Sequence, residues 1–283
     1  MSQIDVESES ALPPDLEREI FKICALTHPR SISKLLRVAR RVKEWAEPFL
    51  YRTILVHREF TFKSEHFPIF TWNALQRAID TKPPSFFAAA VRNLMIIVYD
   101  EIFNSSPLAA TIGQLLTLCT GVERLELRYS PVDPILLVDK QIQPTRLYVE
   151  LKENFFRDFP PSHSFFSQLT HFQIGSWPVR NVERSSNVIR QILHACKSLQ
   201  VVVNLGQRYE QAPPATPIRD PRLVSLRHGN HIVDWQQGAY CGQDFWFLAE
   251  AVIRFRQSGN IDASVLPDAH SEYMHPNLWA SQN

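Results

Sequence analysis

The sequence predicts an α/β fold, with a short helical module at residues 12–56 followed by a longer strand-and-helix domain at residues 57–260. Apolar residues in the first segment recur at helical spacing, whereas the second holds short runs with a hydrophobic period of two, separated by helical patterns. These runs return at intervals of 22–31 residues. With 283 residues, the chain is long enough for one large domain or two ordinary ones.

Composition and motifs argue against most catalytic and nucleic-acid-binding classes. Because 30 Lys or Arg balance 29 Asp or Glu, no global field attracts nucleic acid or anionic lipid. The chain has 8 Gly and lacks the phosphate-loop, zinc-protease and nucleophile-elbow motifs. We therefore expect no enzyme activity and no cofactor.

The cysteine pattern and the chain ends predict an intracellular protein, cytoplasmic or nuclear. The four cysteines are at least 45 residues apart, which argues against a secreted disulfide framework. Residues 1–11 are acidic and polar, so we expect a disordered tail rather than a secretory signal, and residues 261–283 are expected to form a C-terminal tail. No apolar run approaches the length of a membrane span.

The spacing of apolar residues within 12–56 predicts two main helices. Pro13 and Pro14 favour a helix start, and Leu16, Ile20 and Ile23 form one apolar stripe. A second helix is expected to place five residues on one face: Leu35, Val38, Ala39, Val42 and Trp45. A module this short exposes more apolar surface than it can bury alone, which predicts a protein interface or packing on the following domain.

The hydrophobic pattern of residues 57–260 predicts repeated strands and helices, and the proline-rich stretch 207–222 is expected to be an inserted loop. Around Cys119 and Cys196 the pattern is the same, each cysteine lying between a helix and the next strand, which indicates buried structural thiols rather than nucleophiles. The recurrence predicts an irregular leucine-rich-repeat-like α/β solenoid. The alternative is an ordinary α/β domain whose strands and helices alternate. Seven strand-like runs are predicted: 54–56, 94–98, 125–129, 147–151, 172–174, 201–203 and 223–226. Helical patterns lie at 72–80, 108–118, 187–196 and 245–255. The expected central strand positions are Leu94, Leu125, Leu147, Phe172, Val202 and Leu226.

The N-terminal module resembles an F-box. Its opening, Leu12-Pro13-Pro14-Asp15 followed by Ile20-Phe21, is similar to the usual form L-P-x-E-x-x-x-x-I-F, with Asp15 at the acidic position. The second half, ending at Trp45, is also similar, although Ala39 replaces the common cysteine. The later Asp244-Phe245-Trp246 segment resembles one found in the F-box proteins of mushroom-forming fungi.

This resemblance implies a substrate receptor of an SCF-type cullin–RING ubiquitin ligase, with a Skp-type adaptor and a protein target as partners. The residues that would contact the adaptor are Leu12, Pro13, Leu16, Ile20, Leu35, Val38 and Trp45. In a repeat domain, exposed strand residues usually carry recognition, and the candidates here are Arg124, Arg128, Tyr148 and His171. The main alternative is a stand-alone repeat scaffold with no ligase link, in which the module only caps the first repeat; an enzyme with a cryptic site is a third.

Two local patterns have simpler interpretations. His228, His231, Asp234 and Cys241 fit no standard zinc spacing, so we expect surface or turn histidines and no metal site. Residues 30–52 hold seven Lys or Arg against two Glu, which suits a DNA-contacting helix. Because Trp45 lies on the apolar stripe, a solvated face or a rim that meets an acidic adaptor is the expected use, not nucleic-acid binding.

Overall fold

The computed structural model describes residues 12–57, 67–97, 107–128, 137, 141–149, 160–174, 182–207, 218–228 and 231–258. The predicted tails at residues 1–11 and 261–283, and most of the proline-rich stretch, lie outside the described residues. Within the described ranges, no helix is both apolar enough and long enough to cross a lipid bilayer.

The N-terminal module contains three α-helices and one turn of 3₁₀ helix. The helices are α1 (Pro14–Thr27), α2 (Ile32–Leu35) and α3 (Arg40–Leu50), and the 3₁₀ turn is Pro29–Ser31. The prediction of one continuous second helix is wrong, because Ala39 adopts an extended conformation (φ −159°, ψ 159°) and separates α2 from α3. Pro48 lies inside the last turn of α3, which ends at Leu50.

The rest of the described chain is a mixed α/β domain built on one parallel sheet. The strands are β1 (Thr53–His57), β2 (Asn93–Ile97), β3 (Arg124–Arg128), β4 (Arg146–Val149), β5 (His171–Ile174), β6 (Val201–Gln207) and β7 (Leu223–His228). The helices are α4 (Trp72–Thr81), α5 (Pro84–Ala90), α6 (Pro107–Leu118), α7 (Val182–Ala195), α8 (His231–Cys241) and α9 (Phe245–Gln257). All seven strands are parallel and adjacent in chain order, from β1 to β7.

The strand starts are joined by a repeated hydrogen-bond pattern. The carbonyl of Arg52 accepts the amides of Arg92 and Asn93, and the carbonyl of Arg92 accepts those of Glu123 and Arg124. The same double acceptance continues at Glu123, Thr145 and Thr170. Five successive connections therefore enter the sheet with the same geometry.

One face of the sheet forms the main core with α4, α5, α6 and α7. The central row in register is Ile54, Leu94, Leu125, Leu147, Phe172, Val202 and Leu223. The predicted row is correct except at its end, where Leu223 rather than Leu226 pairs with Val202. Because Leu226 lies three residues later, it points to the opposite face, where it packs with Trp246.

The opposite face of the sheet is covered by α8 and α9. Trp235 of α8 packs on Leu55 and Met95, and Trp246 of α9 lies in a cluster with Val203 and Val224. Both indoles are almost fully buried, and burial of an apolar side chain contributes up to about 3 kcal/mol. The sheet is therefore the middle of three layers over its described length.

The module and the sheet meet at Tyr51. This residue follows α3 directly and belongs to the main core. Its ring makes edge-to-face contacts with those of Phe86 and Phe87. A salt bridge of 2.9 Å from Lys82 to Glu47 adds a second link. The expected boundary after residue 56 falls inside β1, which pairs with β2, so the helical module ends near Tyr51.

Candidate functional site

The clearest candidate site is an exposed row of apolar side chains along the first helix, here called the apolar row: Leu12, Leu16, Ile20 and Ile23. Leu16, Ile20 and Ile23 are 55%, 47% and 56% exposed, and Leu12 is also exposed. The spacing of Leu16, Ile20 and Ile23 places these three on one side of α1, and Leu12 lies just before the helix begins. A row of this kind on a folded chain is a candidate interaction surface.

The apolar row is exposed because α1 packs through a different face. Ala25 is buried against Ile32 and Ala46 in a small core of the module. Glu17 accepts two hydrogen bonds from Arg41 of α3, at 2.9 and 3.0 Å. The buried Ala25 and this bidentate pair join α1 to the rest of the module, and the apolar row is left exposed.

The structure separates the seven predicted adaptor-contact residues into two groups. Leu12, Pro13, Leu16 and Ile20 are exposed, and Val38 is 60% exposed in the turn before α3. Leu35 and Trp45 are half-buried, and Leu35 packs on the small core of the module. The prediction omitted Ile23 and Leu26, which are also exposed, although the helical spacing from Leu16 already identified Ile23.

The four predicted target-contact residues do not lie on an open surface. Arg124, Tyr148 and His171 are buried, and Arg128 is mostly covered. The expectation that this strand face is exposed is wrong, because α8 and α9 pack over it. The sequence analysis did not anticipate this covering layer, because residues 231–241 were not recognised as a helix.

A buried polar network joins the strand face to the covering helices. Arg124 on β3 donates to Asp244 at 2.7 Å, and Asp244 also accepts from the amides of Trp246 and Phe247 as the N-cap of α9.

Glu126 lies 2.6 Å from both His231 and Arg128. On β5, His171 Nε2 lies 2.9 Å from Glu250 of α9.

Gly238 of α8 makes this arrangement possible. A Cβ atom at that position would collide with Asp244 Oδ2 and Arg124 Nη1. The absence of a side chain therefore lets α8 pass directly over the buried ion pair.

Burial dominates the electrostatics of the network. It raises the pKa of Asp234 to about 7, with the neighbouring Asp244 carboxylate as the second cause. Burial and the nearby Arg146 lower the pKa of His171 to about 4, although Glu250 opposes this change. Burial also lowers the pKa of His231. At neutral pH both imidazoles are therefore neutral. Arg124, Glu126 and His231 are buried, and the network reaches solvent only at its partly exposed members, such as Glu250.

The residues considered for metal or nucleophilic chemistry are distributed differently from the sequence expectation. His231 and Asp234 are buried, so the expectation of surface or turn positions is wrong for His231; the side chain of His228 is outside the description. Among the described residues, no group of three His, Cys, Asp or Glu is arranged to hold a metal ion.

Cys119 and Cys196 are buried as predicted, and burial raises the pKa of their thiols to about 12 and about 11.

Comparison with known proteins adds no relative to these observations. No protein-family model, no curated protein and no solved structure matches the chain.

Proposed function

We propose that this chain is a substrate-receptor subunit of an SCF-type cullin–RING ubiquitin ligase, which binds a Skp-type adaptor through its N-terminal helical module. The observation that carries the proposal is the apolar row on α1, exposed beside a small and separately packed core. The F-box-like residues Leu12, Leu16 and Ile20 are members of this row. Burial of these side chains by a partner would supply the hydrophobic part of a stable interface.

The mechanism we propose is proximity rather than bond chemistry. The adaptor would hold the module near the ubiquitin-transferring enzyme, and the α/β domain would hold a protein target at high effective concentration. For this role the helical module and the α/β domain must keep a fixed position relative to each other. The buried Tyr51 and the salt bridge from Lys82 to Glu47 join the module to the domain and support this requirement.

We further propose that the α/β domain is a degenerate leucine-rich-repeat-like solenoid. Three features support this: seven parallel strands in chain order, five equivalent carbonyl connections, and matching helix-to-strand turns at Cys119 and Cys196. In both turns the cysteine amide donates to the carbonyl four residues earlier, and its carbonyl accepts from an amide three residues later. Because α8 and α9 cover the strand face, target recognition in this proposal uses the outer surfaces of the domain.

The test is binding of the full-length chain to a purified Skp-type adaptor. Leu16→Asp with Ile20→Asp places two charges on the apolar row, and we expect binding to fall by at least about a hundredfold because each change removes a buried contact at the interface centre. Both positions are exposed, so the variant should remain folded.

A matched control uses exposed apolar residues on another element. Phe247→Asp with Phe255→Asp changes two exposed side chains of α9 and should leave adaptor binding unchanged. Equal binding by the Leu16/Ile20 variant and wild type would overturn the interface, and no binding by wild type would overturn the adaptor proposal.

The alternative of a stand-alone scaffold is favoured by one observation. Tyr51 belongs to the main core and α3 contacts the sheet domain through Glu47, so the module also caps the first strand. The two functions are separated by the Leu16/Ile20 variant, which alters the outer side of α1 and leaves this cap intact. A scaffold predicts that the variant keeps all binding partners of the wild-type chain.

A further inference from the structure

Positive charge is concentrated in the helical module. Residues 12–57 hold nine Lys or Arg and five Asp or Glu, whereas residues 58–283 hold 21 of each. Within the module, residues 30–43, here called the basic segment, contain six Lys or Arg and no acidic residue. The near-zero net charge of the whole chain therefore conceals a strongly asymmetric distribution.

Most of this charge is not neutralised within the described structure. Arg41 pairs with Glu17, and Arg40 lies 3.4 Å from Glu44 in an exposed pair that is weak in water. The side chains of Lys34, Arg37 and Lys43 are exposed and form no ion pair with the described residues. Three like charges with no ion-pair partner among the described residues are thus held within ten residues of the chain.

The basic segment lies next to the apolar row. Arg41 of this segment binds Glu17, and Glu17 is the residue after Leu16 in α1. Val38, 60% exposed, lies between Arg37 and Arg40 in the chain. The apolar row and the basic segment therefore meet at the Arg41–Glu17 pair, and an interface that spans both would have a positive rim on the side of α2 and α3.

We propose that the partner that covers the apolar row is a protein with an acidic rim, and that the basic segment steers its association. This inference rests on the proposed adaptor-binding function and specifies the chemistry of the partner's surface. Opposite charges at a rim accelerate encounter and act mainly on the association rate, whereas the apolar contacts set the lifetime of the complex. A nucleic acid fits less well, because its phosphates would meet the exposed Val38 and the apolar row.

The experiment measures association and dissociation rates of the full-length chain with a purified Skp-type adaptor, at low ionic strength and at about 0.5 M salt. The test variant is Lys34→Glu with Arg37→Glu and Lys43→Glu. Its matched control reverses three exposed charges elsewhere: Arg77→Glu, Arg190→Glu and Lys197→Glu. We expect the test variant to associate at least about tenfold more slowly at low salt, with a similar dissociation rate, and the difference to shrink at high salt.

The possible outcomes separate this inference from the proposed function. If the adaptor binds the test variant and the control variant at the same rate, the acidic-rim proposal is overturned while adaptor binding stands. If wild type does not bind the adaptor, both are overturned. If wild type binds a labelled DNA duplex and the test variant does not, the basic segment is a nucleic-acid surface and the acidic-rim proposal is again overturned.

Discussion

Arg124 and Asp244 form a buried ion pair, 2.7 Å apart, between β3 and the N-cap of α9. Burial lowers the pKa of Arg124, and the carboxylate of Asp244 opposes this effect. The pair joins residues 120 positions apart in the chain. It is one of the polar links between the sheet and the helices that cover this face, together with His231–Glu126 and His171–Glu250.

Asp244→Asn should strongly destabilise the fold. The asparagine keeps a side-chain oxygen for the α9 amides but leaves the buried Arg124 without its counter-charge, at a cost of about 3–5 kcal/mol. Denaturant unfolding monitored by tryptophan fluorescence measures this change, because Trp246 lies in the affected helix. Glu44→Gln, which removes an exposed pair with Arg40, is the control and should change stability little. A similar stability for both variants would contradict the assigned importance of the buried pair.

Gly238→Ala should destabilise the chain although alanine favours helices. The new methyl group would collide with the Arg124–Asp244 pair, and overpacking of this kind costs about 1–3 kcal/mol. Gly113→Ala in α6 is the matched control, because a Cβ atom there meets nothing within 4 Å. The control should stabilise the chain by up to about 1 kcal/mol through helix propensity. Thermal unfolding of both variants checks the prediction, and stabilisation of both would show that α8 has room to move.

Asp234 should make stability depend on pH between about 4 and 7. Its pKa is raised from an ordinary value of 3.8 to about 7, so in this range the folded chain holds a proton that the unfolded chain releases. Stability from this group is therefore complete below pH 4 and is lost as the pH rises toward 7. His171 acts in the opposite sense, because its lowered pKa favours the folded state as the pH rises from about 4 toward 6.5.

Comparison with Asp234→Asn isolates the aspartate. The asparagine stays neutral and can still accept the amide hydrogen bond from Phe245. We expect the wild type to lose a few kcal/mol relative to the variant between pH 4 and pH 7. The measurement is the free energy of unfolding of both proteins at several pH values. Parallel curves would show that the pKa of Asp234 is not raised in the folded protein.

The four cysteines should react at very different rates with an alkylating reagent. Cys119 and Cys196 are buried, and burial raises the pKa of both thiols, so the reactive thiolate is scarce at neutral pH. Cys241 is exposed and Cys24 is partly exposed. Mass spectrometry after brief labelling should find modification at Cys241 and Cys24 first, and at the two buried thiols only after unfolding. Early labelling of Cys196 would contradict the buried turn.

Local pattern was sufficient to predict most of the elements. The period-two runs gave all seven strands, because an apolar strand residue packed on a helix layer recurs at every second position. The stripe of Leu16, Ile20 and Ile23 was also correct as a helix face. Two helices were missed: α5, where a continuous apolar run obscures helical spacing, and α8, whose buried face is partly polar. The break at Ala39 was missed because no Gly or Pro between Leu35 and Arg40 marks it.

By itself, the sequence determined that this protein has a helical module, seven recurring strands and an apolar stripe on its first helix. Only the tertiary structure decided which of these surfaces is open. The stripe on α1 faces outward because Ala25 and Glu17 provide a separate packing face. The polar residues of β3–β5 are covered because His231, Asp244 and Glu250 bring matching polar groups from 79 to 120 residues away. A polar residue that faces water and one that faces a distant complementary side chain have the same local pattern, so long-range packing alone distinguishes them.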